Sequence, residues 1–314
     1  MPHDRRFRFG VMAPSASSAA EYRETARKAE ALGYSTLYVP DHFVEHPFGP
    51  FPAMAMAAEA TASLRVGCLV LGNDYRHPVV VARDAATLDL LSDGRLELGL
   101  GAGWMTVDYE KAGIALDPAG VRIARLAESI AIVKGLTGDG GPFTFTGEHY
   151  TITELDGMPK PVQQPLPLVV GGGGKKVLTL AGEQADIIGI NANLRGGKPG
   201  DPDQAPNMNP ASTDDKLGWV RDAAGDRYAD IEIQSFAGFV HFTDDPMGMA
   251  TAMAPAFDTT AEDVLDSPVG LVGTAESMIE TLERRRERWD MTYHVVGAEH
   301  LDQFAPVVER LGGK

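Results

Sequence analysis

Asp41 and His42 stand side by side just after a short apolar run that ends at Pro40. Histidine titrates near neutrality, and a carboxylate beside it can tune or orient the imidazole. The pair therefore reads as a general acid/base unit. A second group is the run Gly171-Gly-Gly-Gly174-Lys175-Lys176. Backbone amides bare of side chains let an anion approach closely, a following helix presents free N–H groups, and two lysines add positive charge. That is the chemistry of a phosphate cradle; the plain alternative is a flexible turn with two solvated lysines. The run lacks the spacing and terminal Ser/Thr of a Walker loop, which disfavours nucleoside triphosphate hydrolysis. The glycines of Gly99-Leu-Gly-Ala-Gly103 miss the GxGxxG spacing of a dinucleotide site. They read either as a strand bared for a flat ring or as tight packing. His42-Phe-Val-Glu45-His46 has the inverted zincin spacing, but Pro40 and Pro47 deny it the helix it needs, so no metal site is expected.

These groups need elements to hold them, and the chain alternates strand-like and helix-like segments. Residues 7–13 read as a first strand. Ser18 and Glu21 form a capping box that opens a helix closed by Gly33. Strands follow at 34–39, 64–71, 95–102, 166–171, 186–191, 231–242 and 291–296. Helices follow at 51–62, 79–91, 121–136, 175–184, 214–225, 274–289 and 301–311. Residues 142–153 read as an inserted hairpin. Residues 193–213, dense in Gly, Pro, Asn and Asp, read as a lid or binding loop. Eight βα steps across 1–314 predict one α/β domain, a (β/α)₈ TIM barrel with insertion segments; an open doubly wound sheet is the alternative. In a barrel the groups just beyond each strand's C-terminal end share one rim. The rim would then hold Asp41-His42, Gly72-Asn73-Asp74, Gly101 to Trp104, Gly171 to Lys176, and Asn191 with Asn193.

Composition narrows the function. The 314 residues carry a formal net charge of −16, which opposes nucleic-acid or anionic-membrane binding. No apolar run approaches the ~20 residues of a membrane span. The single cysteine, Cys68, excludes a disulfide scaffold and suits a reducing, cytoplasmic compartment. Arg284, Arg285, Arg286 and Arg288 read as a solvated helix face.

Four motifs carry a resemblance: Leu37-Tyr-Val-Pro-Asp-His42, Leu91-Ser-Asp-Gly-Arg-Leu-Glu-Leu-Gly-Leu-Gly-Ala-Gly-Trp104, Leu168-Val-Val-Gly-Gly-Gly-Gly174 and Val272-Gly-Thr-Ala-Glu276. Together they resemble the luciferase-like monooxygenase superfamily, and within it the branch that uses the deazaflavin coenzyme F420. The resemblance implies a bacterial luciferase-like barrel, usually a homodimer, with the deazaflavin at its mouth. It implies a non-prolyl cis peptide at Leu69-Val70 backing the ring, Asp41 touching the ring, and His42 as proton donor or acceptor. Asn73, Ala102, Gly103 and Trp104 would line the ring, and Gly173, Gly174, Lys175 and Lys176 would hold the cofactor phosphate. Arg195 and Lys198 would flank the path of its anionic tail. One departure is Trp104, where the F420-dependent sugar-phosphate dehydrogenases carry a catalytic glutamate; an aromatic there suits a flatter, more apolar substrate. The expected activity is hydride transfer between F420 and a small organic molecule. The alternatives are an FMN-dependent monooxygenase fed by a reductase partner, and a non-catalytic cofactor-binding protein.

Overall fold

The computed structural model of the protein describes residues 5–44, 46–198 and 202–314. β1 (Arg8–Met12) leads to α1 (Ala19–Ala31), and β2 (Thr36–Val39) to α2 (Pro50–Ala60). The third step runs through β3 (Arg65–Cys68), β4 (Leu71–Gly72) and α3 (Pro78–Leu91). β5 (Leu96–Gly101) precedes α4 (Thr106–Ala112), α5 (Ala119–Thr137) and a hairpin of β6 (Phe143–Thr146) and β7 (Thr151–Leu155). Next come β8 (Leu168–Gly172), α6 (Lys175–Gln184), β9 (Ile187–Ile190), α7 (Pro210–Ala224), β10 (Glu232–Ala237) and β11 (Phe239–Phe242). The chain finishes with α8 (Pro246–Met253), α9 (Ala261–Asp266), β12 (Gly270–Gly273), α10 (Ala275–Trp289), β13 (Met291–Gly297) and α11 (Leu301–Leu311).

Parallel pairing runs β3-β2-β1-β13-β10-β9-β8-β5. β5 then returns to β3 through Val66↔Leu96 and Gly67↔Glu97. The circle closes as a barrel of eight parallel strands, with β4 continuing β3 against Leu100 and Gly101. Closure rules out the open doubly wound sheet. A parallel barrel is covered on both faces, so its strands bury nearly every residue: all seven of β13 and all six of β5 are buried. Inside, Met12, Val169, Ile187 and Val295 pack with Tyr38 and Tyr293, and Leu69 and Phe236 lie against this cluster. The buried Glu97 carboxylate accepts from Arg8, Arg65, Tyr38 and Tyr293. Burial alone would raise its pKa, but Arg8 and Arg65 hold it below the ordinary value.

Several boundaries differ from the sequence pattern, each for a local reason. Ser18 caps α1 by accepting from the Glu21 amide at 3.2 Å. Glu21 itself reaches back to the Ser17 amide at 2.8 Å, so the box is displaced by one residue. The expected strand at 64–71 is two, broken at a cis Leu69-Val70 bond. The expected strand at 231–242 is also two: Gly238 donates back to the Phe236 carbonyl at 3.0 Å. Beyond that turn β11 leaves the barrel and pairs with β12. The expected loop at 193–213, of which 199–201 lie outside the described residues, ends early, because Asn209 caps α7 by accepting from Ser212 N at 2.8 Å, with Pro210 at the first helical position. Arg285 is not solvated: it is buried and donates to the Ser267 and Gly270 carbonyls. Among the described residues no helix is long and apolar enough to cross a membrane.

Candidate active site

His42 leaves the C-terminal end of β2 at the barrel rim. Its side chain is 18% exposed, and Nδ1 lies 2.6 Å from Oδ2 of Asp108, which is fully buried. The other oxygen of Asp108 accepts from the Phe43 and Val44 amides, each at 3.0 Å. Tyr75 adds a longer contact to Oδ2 at 3.4 Å. Burial and the Asp108 charge push the Tyr75 phenol up, so it stays a donor. Asp108 thus grips both the imidazole and the backbone that carries it. This fixes which ring nitrogen is engaged and leaves Nε2 as the nitrogen for chemistry.

Asp41 has a different partner from the one its sequence position suggests. Its carboxylate is buried and accepts from Gly72 N at 2.9 Å and from both terminal nitrogens of Arg76, at 2.5 and 3.0 Å. It anchors the segment after β4, while the carboxylate oriented on His42 is Asp108. Asp108 was not visible in the sequence because α4 has only seven residues and no readable apolar period. The usable signal was its place shortly after a barrel strand. Tyr75 and Arg76 lie in a short turn with no apolar period, and the partners of Arg122, the Ala102 and Gly103 carbonyls, are about 20 residues away.

The cis bond at Leu69-Val70 falls where the resemblance places it. The neighbouring strand crowds two of the β5 glycines. A Cβ on Gly99 would lie 1.8 Å from the Cys68 carbonyl oxygen, and one on Gly101 would lie 2.5 Å from Val70. The neighbouring strand leaves no room for those side chains, so the tight-packing reading holds for Gly99 and Gly101. Leu69 and Val70 are both partly exposed at the mouth. Gly103 has φ +74, and a Cβ there would strike the Tyr109 hydroxyl at 1.8 Å. Arg122 donates to the carbonyls of Ala102 and Gly103, holding that turn. Trp104 meets His42 edge to face, ring centroids 5.6 Å apart. Asn73 is buried after β4, and its Nδ2 has no hydrogen-bond partner among the described residues. A buried amide donor without an acceptor at a rim is what a bound polar ring would satisfy.

The glycine run continues from the end of β8, where a Cβ on Gly171 would lie 3.7 Å from Val70. A Cβ on Gly173 would lie 2.1 Å from the Ala192 carbonyl oxygen and 2.5 Å from that of Asn191. Gly174 is the N-cap of α6, with no side-chain cap and no acidic residue in the first turn. Lys175 and Lys176 are exposed beside it. An uncapped helix start with two cations fits a phosphate. The zincin-like stretch is not helical; His42 and His46 rings lie 5.7 Å apart, and Glu45 lies outside the described residues. Among the described residues no group of three metal-ligating side chains is found.

Comparison with known proteins bears on this site. The F420-dependent glucose-6-phosphate dehydrogenase of Amycolatopsis mediterranei (strain U-32) is 34% identical over 171 residues, 52% of this chain and 50% of that protein. The chain thus spans about half the length of this curated relative. An F420-dependent secondary alcohol dehydrogenase solved with an F420–acetone adduct shares the fold: TM-score 0.76, 19% identity, 98% and 99% of the two chains. EDTA monooxygenase from Chelativorans sp. BNC1 shares it equally, with TM-score 0.76, 13% identity and 99% and 95% coverage. The model for the luciferase-like monooxygenase family matches residues 6–198, the stretch that carries His42, the cis bond, Asp108 and the glycine cradle. With a closed eight-stranded barrel around those residues, the chain belongs to the luciferase-like monooxygenase family.

Proposed function

We propose that the protein is an oxidoreductase that uses coenzyme F420 to move a hydride to or from a small organic substrate at a C=C, C=N or carbonyl group. The observation that carries this reading is the His42 imidazole after β2, gripped at Nδ1 by buried Asp108 and packed edge to face with Trp104. The 34% identical relative is named for F420 dependence, which supports the cofactor. So do the exposed Arg195 and Lys198 on the rim segment, suited to an extended anionic tail. The buried Asn73 amide and the uncapped start of α6 fit the polar edge of a ring and a phosphate.

When bound, the coenzyme supplies a two-electron hydride carrier, with carbon where a flavin has its reactive nitrogen. The chain's own residues bind, orient and handle the proton. The Gly173–Lys176 turn holds the phosphate. Leu69, Val70 and Asn73 would hold the ring, Asn73 through its buried amide. His42 Nε2 delivers a proton to the substrate atom that gains the negative charge, or takes it back in the reverse direction. Asp108 keeps the imidazole in the tautomer and orientation this needs. Trp104, packed edge-on to His42, walls the site with an aromatic surface, which suits a flat apolar substrate better than a sugar phosphate. The reading includes a homodimer working in the cytoplasm.

Equilibrium titration with F420 and with FMN, followed by turnover with reduced F420 and a panel of enones, imines and ketones, tests the proposal. Tight F420 binding with turnover of one acceptor class is expected. Binding of FMN alone, with oxygen-dependent product once a reductase is added, would replace it by the monooxygenase reading. F420 binding with no turnover would leave a carrier. Sedimentation equilibrium yielding a monomer would remove the dimer.

A further inference from the structure

Lys216 lies on the second turn of α7 with 1% of its surface exposed. Its Nζ donates to the Asn191 carbonyl at 2.9 Å and to the Asn207 carbonyl, with the Met208 sulfur 4.0 Å away. Among the described residues no carboxylate contributes to its ionisation; burial pushes the amine down to about 8. An ammonium buried among neutral acceptors carries a desolvation cost that a carboxylate would normally offset. The chain has 44 acidic residues against 28 Lys and Arg, so acidic partners are not scarce.

The position of this charge is informative. Asn191 N donates to the Gly172 carbonyl at 2.9 Å, and the Asn191 and Ala192 carbonyl oxygens are the atoms that crowd Gly173. One carbonyl therefore separates the ammonium from the glycine turn that opens into α6. Three arginines near the rim are already engaged: Arg76 by Asp41, Arg122 by the Ala102 and Gly103 carbonyls, Arg125 by Asp74 and Asp117. We propose that Lys216 is a hidden third cation of the anion cradle, its charge stabilising a phosphate on the Gly173–Lys176 turn from behind the backbone. The proposal rests on the F420 reading for the identity of the phosphate carrier, and on the buried unpaired charge for everything else.

Exposed Lys175 and Lys176 act through water and are screened within a Debye length of ~8–10 Å at ordinary salt. A buried charge in a low dielectric is screened far less. The two contributions therefore separate by salt dependence. The experiment measures F420 affinity by fluorescence, and the rise in melting temperature caused by inorganic phosphate, at low and high salt. It compares wild type, Lys216→Met, Lys216→Arg and the double variant Lys175→Ala/Lys176→Ala. Lys216→Met is expected to weaken F420 about tenfold at both salt concentrations and to shrink the phosphate-induced rise, with Lys216→Arg recovering most of both. The deficit of the double variant is expected to fade at high salt. A Lys216→Met protein with a lower melting temperature but unchanged phosphate increment and F420 affinity would make Lys216 a structural clasp and overturn the inference. If Lys216→Met does not fold, Lys216→Gln serves the same comparison. A wild type stabilised by phosphate but indifferent to F420 would overturn the F420 reading while the phosphate arm still judges Lys216. A wild type that phosphate leaves unchanged would overturn the Lys216 inference itself.

Discussion

At the scale of single residues, the chemistry depends on a pair that is distant in sequence, His42 and Asp108, 2.6 Å apart. His42→Ala should retain F420 affinity and lose ~10²–10⁴-fold in turnover, the usual contribution of a positioned acid/base group. Equal turnover in steady-state assays would remove His42 from the mechanism. Asp108→Asn keeps the shape but replaces a carboxylate acceptor at Nδ1 with an amide. Its expected signature is a turnover loss of about 10–100-fold, the scale of lost partners behind a working histidine, together with a displaced pH–rate profile. Asp108→Glu should recover part of it. Loss of F420 binding with no change in the pH profile would instead mark Asp108 as a support for the 43–44 backbone, which it also holds.

At the scale of elements, glycines that look alike in sequence have opposite meanings. Gly99 in β5 leaves no room for a Cβ because the Cys68 carbonyl of the neighbouring strand would lie 1.8 Å away. Gly99→Ala should therefore lower stability by about 1–3 kcal/mol or more and distort the neighbouring strand. Gly218 inside α7 has open space around it. Gly218→Ala should raise stability by about 0.5–1 kcal/mol through helix propensity alone. Denaturant melts of the two variants give the comparison, and shifts of the same sign would contradict this account.

At the scale of the whole molecule, buried charges tie stability to pH. His294 of β13 is buried beside Phe7 and Phe9, its Nδ1 3.0 Å from the Ser235 hydroxyl. Burial first, and then Arg285, push its pKa from 6.5 down to about 3. Between those values the unfolded chain binds a proton that the folded one refuses. This part of the stability is present above pH 6.5 and drains away as the pH falls toward 3. Glu97, held low by Arg8 and Arg65, acts in the same direction at lower pH. Melting temperature against pH should therefore fall steeply on the acid side. His294→Gln, neutral throughout, should make that limb shallower, and an unchanged slope would exclude His294 as a cause.

Local physics made much of the protein legible from its sequence. The alternation of apolar runs with capped amphipathic helices marked all eight barrel strands. Gly174-Lys175 marked the start of α6, and the motif ending at His42 marked the rim, because caps, turns and periodicity are decided by neighbours in the chain. The rest was decided by residues far apart. Asp108 meets His42 across 66 positions, Arg76 takes Asp41, and Gly99 and Gly101 yield to atoms of another strand. Lys216 is buried behind a turn more than thirty residues upstream. No local pattern encodes such partners: burial of a charge and collision with a carbonyl exist only once the barrel closes and brings those groups within a few ångströms.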